Sequence, residues 1–287
     1  MKNNIQKSVL GVAVALAFGA AHAAPATLSN GSIKAVINDG GSFLVSPGTA
    51  LGTPGLSYNG VEFVNIDNPS SWWTAQGDGF NLTSQYNSNP LGSTTYGLGS
   101  SAATTLKIGR LSFVQTVALT ASNQISYLVS VTNNGTAALT HVKYGVGIDP
   151  DQGGSGKGKT LNRILGQGTA AAVSASDTLY GSHLKVTLAN TSTSSPTAIA
   201  AFINTNCCTA VNPASALSAA QGVGFSTLAD DSISLAYDIG TVRGGQTVSL
   251  GYNYTFEPVP EPETYAMLLA GLGLLGVVAR RRKAQTA

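Results

Sequence analysis

The chain has 287 residues, 43% of them hydrophobic and only 10% charged, against roughly 25% charged in an ordinary soluble domain. So sparse a charge excludes a charge-rich disordered chain and a coiled coil, while the apolar fraction is ample for a core. The formal charge of +2 arises at the ends: residues 24–257 hold nine cations against eleven acids, which argues against a nucleic-acid-binding face.

Lys2 and Lys7 precede an apolar run over residues 9–20, and Ala21-His22-Ala23 follows it. A positive leader, an apolar segment too short for a comfortable span and an Ala-x-Ala site make a signal peptide over residues 1–23. Its partner is signal peptidase, which cuts between Ala23 and Ala24 and removes His22 with the leader. Export is the first expectation.

From residue 24 to 257 no long stretch keeps a helical period. Strand-like runs recur at 32–37, 61–64, 105–119, 125–132, 140–148, 183–188, 198–203, 232–239 and 247–256. Several alternate apolar with polar residues, as half-buried strands do. Asn133-Asn134-Gly135-Thr136 and Arg243-Gly244-Gly245 read as turns. Short helices are expected at 174–180 and 214–220. Many strands without crossover helices point to an all-β, antiparallel β-sandwich ectodomain. One large sandwich is favoured, with two smaller ones split near 150–160 as the alternative.

Within this region Trp72-Trp73 is the first candidate site. Aromatic faces stack on sugar rings, and neighbouring strand residues point opposite ways, so at most one ring would belong to the core and the other could meet a glycan; core packing or a loop anchor is the competing and favoured reading. Asp149-Pro150-Asp151 is the second. Two carboxylates at alternate positions before Gly153 offer Ca²⁺ hard oxygen ligands, although the following residues do not complete an EF-hand loop. The same stretch, Gly153 to Thr160, matches the letters of a phosphate-binding P-loop. Pro150 interrupts the required strand, and Gly166 and Gly168 interrupt the required helix, so a surface loop is expected, with no nucleotide. No cofactor is implied.

Cys207-Cys208 are the only cysteines. In an oxidising compartment a strained vicinal disulfide ranks first, ahead of free thiols and an intermolecular link. Catalytic material is thin. His141 and His183 carry no nucleophile motif, and Glu62, Asp230, Asp231 and Asp238 need geometry before any two can be paired as acid and base.

The tail is the most specific part. Val259-Pro260-Glu261-Pro262 leads into an apolar stretch over 265–279 and then Arg280-Arg281-Arg282-Lys283. Fifteen helical residues span about 22 Å against roughly 30 Å of hydrocarbon, short but rescued by snorkelling cations and local thinning. The cationic block stays cytoplasmic and leaves the rest outside. This order and spacing resembles the PEP-CTERM sorting signal of exported bacterial proteins, over 258–287. The same tail is also labelled the ice-binding protein C-terminal domain, which by itself implies no ice binding. The resemblance implies an exosortase-like membrane enzyme as partner, cutting near the Pro-Glu-Pro motif, and a Gram-negative envelope rich in exopolysaccharide and biofilm. It says nothing of the central domain's family.

The sequence therefore reads as a non-enzymatic envelope protein. It is held first at the inner membrane with a periplasmic ectodomain, then sorted to the outer surface or beyond. A carbohydrate- or Ca²⁺-binding module is the alternative, and an extracellular hydrolase the second.

Overall fold

The computed structural model describes residues 25–44, 55–64, 70–85, 94–153, 158–193, 196–259, 270–272 and 274–275. In chain order the strands are β1 (Ala26–Ser29), β2 (Ile33–Ile37), β3 (Leu56–Tyr58), β4 (Val61–Glu62), β5 (Ser71–Gly77), β6 (Phe80–Gln85), β7 (Thr94–Leu98), β8 (Ser101–Ile108) and β9 (Leu111–Ala121). They continue with β10 (Gln124–Asn133), β11 (Leu139–Ile148), β12 (Thr160–Gly166), β13 (Ala172–Ser176), β14 (Leu184–Asn190) and β15 (Ala198–Asn204). Helix α1 (Pro213–Ser218) follows, then β16 (Ser226–Ala229), β17 (Ser232–Val242) and β18 (Thr247–Pro258).

Among the described residues these form three sheets in which every pairing is antiparallel. A nine-stranded sheet runs β16-β12-β13-β14-β18-β10-β9-β8-β7, a five-stranded sheet β15-β17-β11-β5-β6, and a small sheet β1-β2-β3-β4. The expectation of antiparallel β structure is met. The larger sheet takes strands from both sides of the 152–159 stretch.

The main core lies between the inner faces of the two larger sheets. β10 alternates in burial along its whole length and sends Ile125, Tyr127, Val129 and Val131 inward. Opposite it, β11 and β17 contribute Tyr144, Val146, Leu235 and Tyr237. Tyr127, Tyr144, Tyr237, Tyr252 and Tyr254 are all buried here; Tyr127 and Tyr252 stack at 4.8 Å. The Tyr144 hydroxyl donates to Gln115 Oε1 (3.2 Å), and the Tyr237 hydroxyl to the Gly251 carbonyl (3.3 Å).

The five-stranded sheet is buried on its outer face as well. Helix α1, started by Asn212 Oδ1 accepting from the Ala214 and Ser215 amides and by Pro213 in the first turn, packs over it. Trp72, Val211, Ala216 and Ala236 form a second apolar cluster beneath. Trp72 lies across Gly147, where an added Cβ would also meet the Ile233 carbonyl at 2.7 Å.

Two expectations change. The run 105–119 is two strands, β8 and β9, folded back at Gly109, whose φ is +53°. Residues 174–180 are not helical: Ser174–Ser176 end β13, and Asp177 then accepts from the Leu179, Tyr180 and Ser182 amides at 2.8 to 3.0 Å. A carboxylate serving those amides fixes a turn instead. The helix expected at 214–220 is present as α1. The signal-peptide helix, with Ala21 and Ala23, lies outside the described residues. So does most of the span at 265–279: residues 270–272 and 274–275 are helical, and no helix among the described residues is long and apolar enough to cross a membrane.

Burial, with neighbouring tyrosines adding for Tyr127, Tyr237, Tyr252 and Tyr254, pushes the phenols of all five core tyrosines above their ordinary value of about 10. Because the folded state holds these protons more tightly, stability is undiminished below pH about 10 and falls as pH rises above it. Spectrophotometric titration of the ten tyrosines should show about half ionising only as the chain unfolds, with a midpoint that shifts when denaturant is added.

Candidate metal centre

The chain passes between the two large sheets at one shared end. Residues 149–159 lead from β11 in the five-stranded sheet to β12 in the nine-stranded one, and Asp230-Asp231 lead back from β16 to β17. Thr160 pairs with Ala229, which sets the two crossings side by side. The backbone holds each in place: the Asp149 amide donates to the Ser70 carbonyl (2.9 Å) and the Asp151 amide to the Phe63 carbonyl (2.8 Å). Gln152 Nε2 donates to the Ala175 carbonyl (3.0 Å).

Carboxylate oxygens of Asp149, Asp151 and Asp230 come within 4.8 Å of one another. Asp149 is 1% exposed and Asp151 2%, whereas Asp230 is open to solvent. Asp149 Oδ1 is fully buried without a hydrogen-bond partner, as is Asp231 Oδ2 nearby. Gly158 closes the group from the side: a Cβ there would meet Asp151 Oδ1 at 2.6 Å and Asp230 Oδ1 at 2.9 Å. Burial, with Asp230 and Asp231 adding, pushes the Asp149 carboxyl up to about 8.

Against this group sits Cys207-Cys208, whose sulfurs are bonded to each other. Gln85 and Ser70 hold that loop through the Cys208 carbonyl, Gln85 Nε2 at 2.6 Å and Ser70 Oγ at 3.4 Å. Cys208 Sγ lies 3.4 Å from Asp149 Oδ2; a disulfide sulfur carries no proton, so this contact gives the carboxylate no donor.

Oxygen ligands about 2.4 Å from a Ca²⁺ ion stand roughly 3.4 Å apart when adjacent and 4.8 Å when opposite. The three carboxylates fit that range, offer only hard donors and leave coordination positions toward the exposed side. Of the sequence candidates, then, Asp149 and Asp151 are brought together, and Asp230 joins them. Sequence reasoning named Asp230 but had no means of placing it, since the residues that do so are its register neighbours.

Trp72 and Trp73 are not surface rings. Trp72 is 1% exposed under α1, and Trp73 is 4% exposed in the main core with its Nε1 donating to the Gly40 carbonyl at 2.6 Å. The expected outward ring is buried because α1 covers the face it points to. Glu62 accepts from the Gly55, Leu56 and Val64 amides and shapes a turn. Asp238 lies 3.8 Å from Lys143. His141, at φ +54° in an irregular stretch of β11, faces Asp78 at 3.0 Å on the exposed surface, a pairing with no sequence signature. His183 receives the Val259 amide on its carbonyl at 2.7 Å. Thr160 opens β12, and residues 154–157 of the stretch read as a loop lie outside the described residues. Pro260, Glu261, Pro262 and the block Arg280, Arg281, Arg282 and Lys283 lie outside the described residues.

The family model for the PEP-CTERM protein-sorting motif matches residues 258–283, so the chain carries that signal. It implies an exported, membrane-associated protein processed by an exosortase. No curated protein matches the sequence. Among solved structures, the chain is similar to a candidate aldose 1-epimerase from Escherichia coli K12, with 11% identity, TM-score 0.49, and coverage of 82% of this chain and 99% of that one. A GalM/aldose epimerase homologue from C. elegans gives 10%, 0.46, 83% and 99%. A heparan sulfate lyase mutant from Pedobacter heparinus gives 9% and 0.40, with 72% of this chain covering 30% of that one. The expectation of a non-enzymatic protein is corrected here, because the solved structures named above are of carbohydrate-active enzymes. The likeness is one of strand arrangement and assigns no reaction to this chain.

Replacing Gly158 with alanine should crowd Asp151 and Asp230 and lower stability by about 1–3 kcal/mol, read as a reduced urea midpoint with an unchanged slope. Gly222→Ala, where an added Cβ meets nothing within 4 Å, is the control.

Proposed function

We propose that this is an exported envelope protein whose β domain binds carbohydrate through a Ca²⁺ ion held by Asp149, Asp151 and Asp230, after delivery through its C-terminal sorting signal. The observation that carries the reading is the buried, unpartnered Oδ1 of Asp149. A bare carboxylate oxygen in the interior costs several kcal/mol unless a proton or a cation meets it, and two further carboxylates within 4.8 Å of the Asp149 carboxylate supply a divalent cation with three ligands at once. Two ligands are buried and the third is exposed, so the ion would be held from below and open above. Ca²⁺ takes six to eight oxygens, and sugar hydroxyls or uronate carboxylates are suitable ligands for the open positions. The polysaccharide setting is the one that the tail implies.

Ca²⁺ at about a hundred times its Kd should stabilise the protein by about 2.7 kcal/mol, visible as a rise in Tm. Asp149→Asn and Asp151→Asn should remove that rise, and retention on acidic polysaccharide should vanish with chelator and return with Ca²⁺. A wild-type Tm indifferent to Ca²⁺ would end the reading.

Delivery is tested separately. We read residues 1–23 as a cleaved signal, 24–257 as the ectodomain, and 265–279 as the membrane helix stopped by Arg280–Lys283. Leu272, Leu274 and Leu275 are more than half exposed, as side chains meant for lipid would be. Changing Pro260-Glu261-Pro262 to alanines in a host with the sorting enzyme should leave full-length protein in the membrane fraction. Normal release of that variant would count against the assignment.

A further inference from the structure

Asp149 belongs to two possible ligand groups. With Asp151 and Asp230 it makes an all-oxygen set, and with Cys207 and Cys208 it makes a second set whose ligand atoms also lie within 4.8 Å of one another. Only one of these sets is available while the sulfurs are bonded. A disulfide sulfur is a weak ligand, whereas a thiolate is a strong one for Zn²⁺ and other thiophilic ions. We propose that the vicinal disulfide selects the metal: oxidised, the pocket takes a hard cation such as Ca²⁺, and reduced, it takes a thiophilic one such as Zn²⁺ on Cys207, Cys208 and Asp149.

The chemistry balances with a dithiol as reductant. One protein S–S bond breaks, two electrons and two protons pass from the dithiol, and the dithiol closes to its own disulfide. Binding the thiophilic ion then forms two S–metal bonds and releases the two thiol protons. Three protein ligands leave the fourth tetrahedral position to water. Adjacent residues normally point apart, but the existing bond already holds both sulfurs on the Asp149 side, and Gln85 and Ser70 hold the Cys208 carbonyl through contacts that do not involve the sulfurs. Because Asp149 is common to both sets, two ions bound together would have to share its carboxylate, and each would hold it less well than alone. The inference rests on the calcium reading only for the hard-cation half.

Full-length protein in detergent is titrated with Cd²⁺ as a spectroscopic stand-in for Zn²⁺, before and after reduction by a dithiol that is then removed, with free thiols counted. The reduced chain should develop an ultraviolet thiolate-to-cadmium band saturating at one equivalent, and the oxidised chain none. Cys207→Ser and Cys208→Ser should each remove most of it, and Asp149→Asn should weaken Cd²⁺ binding by about tenfold or more. Cd²⁺ loading should also reduce the Ca²⁺-induced rise in Tm. A reduced, folded chain without the band overturns the proposal, as does a band insensitive to Asp149→Asn, or collapse of the near-ultraviolet circular dichroism on reduction alone. An oxidised chain that ignores Ca²⁺ while the reduced chain binds Cd²⁺ through Asp149 would sink the calcium reading and the hard-cation half, leaving the thiolate site standing.

Discussion

The five-stranded sheet has to bury both of its faces, and the rest of the architecture follows from how it does so. Its inner face meets the nine-stranded sheet across a core of aliphatic side chains and five tyrosines. Among the described residues no second sheet covers its outer face; the segment after β15 returns over it, with α1 on Trp72 and Ala236. That return fixes the path of residues 205–212. Gln85 and Ser70 draw the Cys208 carbonyl toward β5 and β6, and the disulfide then comes to rest on Asp149. Packing on one side of a sheet thus places a pair of sulfurs at its end. Nothing in the local sequence around Cys207 requires that neighbour.

The carboxylates meet for a related reason. A chain that contributes to both sheets must cross between them, and two crossings, 149–159 and 230–231, leave from the same end. Crossings cannot continue a strand ladder, so they tend to carry residues that satisfy the backbone from side chains, aspartate among them. Asp177 and Glu62 do this elsewhere, each accepting from three backbone amides. Glu62 too leaves one oxygen, Oε2, buried without a partner, but its Oε1 still serves three amides, whereas the Asp149 carboxylate accepts from no backbone amide among the described residues and has Asp151 and Asp230 beside its own orphan oxygen. The contrast separates a carboxylate that shapes a turn from one placed to receive something else.

How far the sequence showed this depends on what each strand buries. β10, β14 and β18 alternate apolar with polar residues because one face is core, and their period-two pattern is plain. In β5, Ser71–Ala75 are buried without alternation because both faces are covered, and the run carries no period to read. β12 misleads outright: Thr160 and Asn162 point inward and bond to each other at 3.0 Å, while Leu161 and Leu165 point to solvent. The Asp149–Asp151 spacing was legible as a candidate pair, but Asp230 lies 79 positions further on and enters only through the pairing of Thr160 with Ala229. Spacing finds ligands that share a loop; register is needed for those that share only a sheet end.

Register also relates the candidate centre to the tail. Leu161, Ser176, Lys185 and Glu257 form one row across four neighbouring strands, with Lys185 and Glu257 joined at 2.7 Å. Three strand spacings separate β12 from β18, roughly 14 Å, so the acidic group and the start of the sorting signal occupy the same edge of the molecule. Val259, the first residue of the sequence motif, is still hydrogen-bonded to His183, which leaves almost no linker between the last strand and the signal.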